Sequence, residues 1–529
     1  MGMQKGKFMR ADFVIIGAGA GGCVVADRLT RSGATVVLLE AGQRDRNINA
    51  IIPAAFSKLF KSKHDWNYET VPQSELQHRR LYWPRGKILG GSTSMNAMIY
   101  QRGHRATYDQ WAADGNDGWG YTDVLPEFIA LEDQERGASD FHGTGGALAV
   151  SDLRTVNPLS DAFVEAAVSA GFARNDDFND DTQLGFGTYQ VTQRNGVRAS
   201  AATAFLKPAM ERPNLNVITG AHATSIVLDK GRAVGVEYAD KTGRHVAFAT
   251  DEVILCGGSI NSPQLLMLSG IGPEDHLRSV GIDVAVDARN VGKNLMDHLV
   301  CGTSYAINQP ISLAHAESLK PVFEYARHRT GMLTTNVAEA GGFVQLDDGP
   351  VPEIQFHFAP AYFIDHGFGS PETDGISIGA TLVDVASRGE ITLASADPFA
   401  APLIDPRCLS DQRDLWRLVE GCKLARELAA QPALSTYVES EYLPGRAVSS
   451  DEEWIGHVRA MTESLYHPVG TCAMGPGDDA VVDDKLRVRG VDGLRVADAS
   501  VMPSIINANT QAITMVIGKR CADFLLATG

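Results

Sequence analysis

Phe13 to Glu40 reads FVIIGAGAGGCVVADRLTRSGATVVLLE, and few folds accommodate residues in this order. The apolar run Phe13–Ile16 leads directly into a glycine turn. A helical segment follows, and a second apolar run, Val36–Leu39, ends on the acid Glu40. This strand, turn, helix and strand form the dinucleotide-binding unit of a doubly wound α/β sheet. Gly17 and Gly19 permit the tight turn and a close main-chain approach to a pyrophosphate. Gly22 lets helix and strand pack closely, and Glu40 is placed to hold ribose hydroxyls. An acid at that position favours a free 2'-hydroxyl, hence FAD or NAD rather than NADP.

The chain has 529 residues, more than one core usually serves, so two domains or one domain with a large insertion are expected. A net charge of -17 argues against a nucleic-acid partner, which requires a basic face. Seven cysteines are scattered without paired or metal-ligand spacing, which fits a reducing, cytoplasmic compartment and gives no metal site. Met1 to Arg10 is basic but leads into no apolar stretch of the secretory kind, and reads as a disordered lead-in. Gly6 stands where an acylation site needs Ser or Thr. No apolar run is long enough to span a membrane, while peripheral contact with the inner membrane is left open.

A second glycine-rich stretch, GKILGGSTSMNAMIYQRG over Gly86–Gly103, sets a glycine pair among small hydroxyl residues and continues into an apolar, helix-like segment. Main-chain groups of Gly90, Gly91 and Ser92 can donate to phosphate oxygens, and Asn96 to Met98 can pass under a planar ring. A third junction follows the apolar run Val253–Cys256: Gly257 and Gly258 end a strand, and Ser262–Pro263 are expected to start a helix.

Together these blocks resemble the glucose-methanol-choline (GMC) family of FAD-dependent alcohol oxidoreductases. The family's two signatures are matched over Gly86–Asp109 and Gly258–Gly272. FHGTGGALAV at Phe141–Val150 and YHPVGTCAMG at Tyr466–Gly475 add to the likeness, which runs from Ala11 to about Leu526. Within the family the chain is most similar to bacterial choline dehydrogenase-like enzymes. By resemblance, Ala20, Ala41, Ala97, Ala223, Thr510 and Gln511 join the FAD contacts. Asp498 and Ala499 are expected near the ribityl and pyrophosphate, and Arg85 near the phosphates.

The chemistry is expected from the carboxyl-terminal blocks. Oxidising an alcohol requires a proton to leave oxygen while a hydride leaves carbon for flavin N5, so a neutral base must stand beside the hydroxyl. By resemblance that base is His467, whose imidazole ordinarily titrates near neutrality. Asn509 does not titrate and is suited to orienting the substrate oxygen, besides touching FAD. Tyr466 and His357 are candidates for the substrate pocket, and His298 reads as a structural residue near the cofactor. Some family members attach FAD through a His in the glycine-pair loop. Met95 stands there and forms no such bond, so FAD is expected to be non-covalent. Ala97 replaces a small hydroxyl residue found in some choline-oxidising relatives, which puts choline in doubt.

The expected architecture is α/β, α+β overall: a Rossmann-like FAD-binding domain from residues 10–45, 82–110, 213–305 and 464–529, with a substrate-binding domain from 46–81, 111–212 and 306–463. Alternating runs such as PEIQFHFAPA and GEITLAS predict antiparallel strands in the second. Pro310–Asn336 is read as a solvated connecting helix, with a lid or membrane-touching loop as alternatives. The implied activity is oxidation of a primary alcohol to its aldehyde, with electrons passed to a quinone or other non-oxygen carrier. An aryl- or furfuryl-type alcohol oxidase using oxygen, and a non-redox flavoprotein of the hydroxynitrile lyase kind, stay open.

Overall fold

The computed structural model describes residues 9–369, 371 and 373–527. Through residue 8, the basic lead-in and its rejected acylation site lie outside the described residues. Strand β1 (Met9–Ile16) is flanked in parallel by β2 (Val36–Glu40) and by the strand Gly243–Leu255. Leu215–Thr219 extends the parallel sheet beyond β2, and Leu494–Val496 pairs with the end of Gly243–Leu255. Antiparallel strands Arg232–Asp240 and His222–Asp229 complete seven strands. All five residues of β2 are buried, as expected of a parallel strand covered on both faces. Helix α1 (Ala20–Arg31) and the terminal helix Gln511–Ala527 pack against one another beside this sheet.

Their approach depends on missing side chains. A Cβ on Gly22 would lie 2.0 Å from the Gly17 carbonyl oxygen, one on Gly21 would lie 2.1 Å from that of Ala497, and one on Gly518 would lie 2.6 Å from that of Gly21. Gly22 thus packs α1 on the turn as its place in the motif implies, while Gly21 and Gly518 seat the helix pair.

Two local expectations change. The helix after Cys256 begins at Gly258, not at Ser262–Pro263, and holds Pro263 inside it. The carbonyl of Ser259, which Pro263 cannot serve for lack of an N–H, accepts a hydrogen bond from Thr471 Oγ1 at 2.7 Å. The segment after the glycine pair is not helical beyond the short turn Gly91–Ser94. Met98 takes φ 59°, Ile99 bridges Val191, and Tyr100 N–H donates to Gln190 O at 2.9 Å, so the chain is pulled into extended structure.

The second large sheet is antiparallel throughout: Val438–Leu443, Leu299–Ile307, Gly375–Leu382, Ile354–Ala359, Ala340–Val344 and Gly185–Thr188, with Glu463–Ser464 pairing onto Leu299–Val300. Both alternating runs become antiparallel strands, Ile354–Ala359 here and Glu390–Thr392 in a separate two-stranded sheet. The boundary expected at residue 305 falls within Leu299–Ile307, whose partners all lie in the second sheet. Pro310–Asn336 holds the helix Leu319–His328, on which Leu319, Val322 and Phe323 are exposed.

Gly22→Ala is expected to destabilise the protein by about 1–3 kcal/mol, because backbone must move to admit the methyl. Gly456, in the helix Asp451–Met461 with no atom within 4 Å of an added Cβ, should gain about 0.5–1 kcal/mol on change to Ala. Urea unfolding midpoints of the two variants test the contrast, and a Gly22→Ala midpoint equal to wild type would show that α1 does not lie against the turn.

Candidate active site

A cavity of about 650 Å³ opens at the carboxyl ends of β1, β2 and Gly243–Leu255, where a doubly wound sheet usually binds its ligand. Its opposite wall is the second sheet, which contributes His357 and Ala359 from one strand and Ser377 and Gly379 from the next.

At the sheet end Glu40 is buried, with Oε2 accepting from Ala18 N–H at 2.8 Å and Oε1 from Gly42 N–H at 2.7 Å. Burial pushes its carboxyl up to about 7, against the pull of those two bonds. Ala41 and Ala223 line the cavity beside it. Gly17, Gly19 and Ala20 form the next stretch of wall, where Gly17 has φ 99° and an added Cβ would lie 2.4 Å from Cys256 O. The glycine-pair loop meets this turn directly: Gly90 N–H donates to Ala18 O at 2.8 Å, and a Cβ on Gly91 would lie 2.9 Å from Gly19 Cα. Gly91, Ser92, Asn96, Ala97 and Met98 line the cavity, as do Gly257, Asp498 and Ala499. Gly22 and Gly90 lie behind the wall and shape it. Asp498 is saturated by its own surroundings, accepting from Gly258 N–H at 2.9 Å, Ser262 Oγ at 2.6 Å and Ser500 N–H at 2.9 Å. An acid at one end, a side-chain-free seam in the middle and imidazoles at the other suit an elongated dinucleotide such as FAD.

His467 stands at the far end on a constrained turn. Residues on either side of it are tied to one segment: Glu463–Ser464 pairs with Leu299–Val300, and Val469 bridges Met296. Between them Tyr466 is forced to φ 67°, a strained state for an aromatic residue. Three contacts hold it: Tyr466 N–H to Ser464 Oγ at 2.8 Å, Arg85 Nη1 to Tyr466 O at 2.6 Å, and His467 N–H to Asp297 Oδ1 at 2.7 Å. Burial lifts the Asp297 carboxyl to about 7. Arg85 lines the cavity as well.

The tautomers follow from the bonding. His298 Nε2 lies 3.0 Å from the Ile506 carbonyl, which only accepts, so it carries the proton and leaves Nδ1 bare. His467 Nδ1, 3.0 Å from that Nδ1, must therefore donate, and His467 Nε2 is left unprotonated, its lone pair facing the cavity. Burial, then the neighbouring His298, His357 and Arg85, hold His467 well below the usual imidazole range. Burial likewise lowers His298 to about 3 and His357 to about 4. All three are neutral near pH 7. Asn509 Oδ1 accepts from Gln355 Nε2 at 3.2 Å, which turns its Nδ2 toward His467 Nε2, 3.5 Å away. Thr510 and Gln511 follow along the wall.

The structure brings His467, Asn509, His357 and Tyr466 to one cavity. Tyr466 packs edge-on against Phe60 at 5.9 Å and its hydroxyl is bonded to His366 Nδ1, so it serves as a fixed wall. His298, read as structural, sets the tautomer of His467 through its two hydrogen bonds. Gln355 was not singled out, although the alternation of PEIQFHFAP already places it two residues from His357 on one strand face. Trp66, stacked on Tyr68 at 5.7 Å beneath Lys87 Nζ, and His222 line the Glu40 end and carried no motif.

Dinucleotide turn, glycine seam and bare imidazole define a flavin-type oxidoreductase site. The amino-terminal profile of the GMC oxidoreductases matches residues 11–300 and the carboxyl-terminal profile residues 385–518. The chain belongs to this family of FAD flavoproteins, oxidoreductases that act on CH–OH donors. It is 44% identical over 526 residues to an alcohol dehydrogenase [acceptor] of Pseudomonas putida, covering 97% of this chain and 95% of that one. It is 42% identical over 529 residues to the mitochondrial choline dehydrogenase of Mus musculus, covering 97% and 89%. A solved structure of Aspergillus oryzae formate oxidase, concerned with FAD modification, superposes with a TM-score of 0.93 at 29% identity over 98% of both chains.

His357 has a folded pKa depressed below the unfolded imidazole value, so the unfolded chain binds its proton first as pH falls. Its contribution is complete above about pH 6.5 and lost as pH falls toward about 4. Relative to wild type, His357→Gln should therefore gain ~2 kcal/mol of stability between about pH 7 and about pH 5. Paired denaturation curves cancel the other titrating groups, and a constant difference across that range would show that His357 is not kept neutral by burial.

Proposed function

We propose that the protein oxidises an uncharged primary alcohol to its aldehyde, with non-covalent FAD, and hands the electrons to an acceptor other than oxygen. The observation that carries this reading is the unprotonated Nε2 of His467, fixed by His298 and met, among the described residues, only by the long 3.5 Å contact from Asn509 Nδ2, which an alcohol oxygen can take over. In it the alcohol O–H donates to His467 Nε2 while Asn509 Nδ2 donates to the alcohol oxygen, orienting the carbon. FAD supplies the acceptor for the departing hydride. His467 takes the hydroxyl proton at Nε2, and the bond from its Nδ1–H to His298 keeps the ring in place as the charge develops.

An uncharged substrate is supported by the wall near His467. Phe56, Phe60 and Met95 form a buried apolar cluster joined by Val337 and Phe363, and all five line the cavity. The Glu463 carboxylate on this side is already ion-paired with Arg79 through Oε1, which lessens the charge it offers a quaternary ammonium. The acceptor follows the name of the Pseudomonas putida relative. Met95, buried in the cavity wall, carries no nucleophilic nitrogen, which supports dissociable FAD. In this reading the first sheet is the FAD-binding domain and the second the substrate-binding domain. The boundary proposed at residue 305 is better drawn at residue 298, which keeps the strand Leu299–Ile307 whole.

His467→Ala should keep FAD bound while the rate of flavin reduction by a primary alcohol, followed anaerobically in a stopped-flow spectrometer, falls about 10²- to 10⁴-fold. An unchanged rate would remove His467 from the reaction. Denaturing the purified protein with acid should leave all yellow colour in the supernatant; colour that precipitates with the polypeptide would show a covalent link.

A further inference from the structure

Three arginines are almost completely buried, and they differ in what faces them. Arg495, 3% exposed, has Glu252 at 2.8 Å. Arg102, 1% exposed, has Glu132 at 2.8 Å. Arg198, 3% exposed, forms no ion pair with any carboxylate among the described residues, and its Nε and Nη2 meet no acceptor. Only Nη1 is engaged, donating to Thr93 O at 3.2 Å and to Asn96 Oδ1 at 2.8 Å. A buried guanidinium without a counter-charge is costly, and its persistence calls for a negative partner that the polypeptide does not provide.

The hairpin Gln193–Arg194/Val197–Arg198 places this charge behind the glycine-pair loop. Thr93 and Asn96, its two partners, both line the cavity. Asn96 in turn donates through Nδ2 to Gln511 Oε1, two residues beyond Asn509. The hydrogen-bonded order is Arg198, Asn96, Gln511, so the charge lies one amide behind the end of the cavity that holds His467 and Asn509. The hydride acceptor must lie at that end, since proton and hydride leave adjacent atoms of one alcohol.

We infer that Arg198 is an electrostatic positioning residue for the flavin: through Asn96 it fixes the wall beneath the ring and stabilises the negative charge that FAD gains on reduction. The inference rests on the FAD reading above. The guanidinium stays cationic throughout, and no proton leaves it.

The test compares holoenzymes of wild type, Arg198→Lys and Arg198→Met. The two-electron reduction potential, by dye equilibration, should fall in Arg198→Met by about 30 mV, a tenfold change in the reduction equilibrium. The affinity of the oxidised flavin for sulfite, which also places negative charge on the ring, should weaken about tenfold. Arg198→Lys, which keeps the charge, should recover most of both. Without FAD, Arg198→Met should melt no lower than wild type, since it removes an unpaired buried charge, whereas a purely structural arginine would lower that melting temperature and leave the potential alone. A potential and sulfite affinity in Arg198→Met equal to wild type overturn the inference while the FAD reading stands. A wild-type protein that takes up no FAD overturns both.

Discussion

Close backbone contact at a few glycines is the constraint on which the site depends. Gly17 lies against the carbonyl of Cys256, Gly22 against that of Gly17, and Gly91 against Gly19. These contacts gather the first glycine turn, the second glycine loop and the end of Gly243–Leu255 into one wall free of side chains. A methyl at any of them pushes backbone from backbone, which no rotamer change relieves. The depth of the cavity is therefore set by the absence of atoms, and the terminal helix, seated through Gly518 on Gly21, brings Asn509 to the wall by the same means.

Desolvation sets the charge states inside that wall. It keeps His298, His357 and His467 neutral and lifts Glu40 and Asp297 to about 7, although both acids accept hydrogen bonds that favour ionisation. A chain of net charge -17 thus encloses a cavity whose imidazoles at the His467 end are neutral, with the Arg198 charge set behind it. The exterior charge bears on solubility; the interior is governed by which few groups lose water.

Much of the first sheet was legible because local residues impose it. The Phe13–Glu40 unit carries turn, helix and strand within itself, and the alternation around His357 predicted its strand. The helix after Cys256 is not legible locally because Thr471, more than two hundred residues away, satisfies the carbonyl that Pro263 frees, and no local pattern encodes such a partner. The role of His298 is hidden for the same reason: its partner is His467, across the fold. Gln355 was readable from strand alternation alone. Asn195–Gly196, both at positive φ, marks the hairpin that delivers Arg198, yet nothing local shows that the arginine has no counter-charge. Pairing, and the lack of it, is a property of the assembled core.

In the proposed reaction, a base held well below the ordinary imidazole range looks ill suited to an alcohol, whose proton is far less acidic than imidazolium. The difficulty disappears if proton and hydride leave in concert. As the hydride departs, the oxygen acquires the character of a protonated carbonyl, a strong acid, and a neutral imidazole of low basicity accepts its proton readily. A stronger base would be protonated and idle before the substrate arrived. The proposed reaction therefore needs His467 neutral, with Nε2 unprotonated and aligned, more than it needs it basic. Burial provides the neutrality, His298 the unprotonated nitrogen, and the strained turn at Tyr466 the alignment.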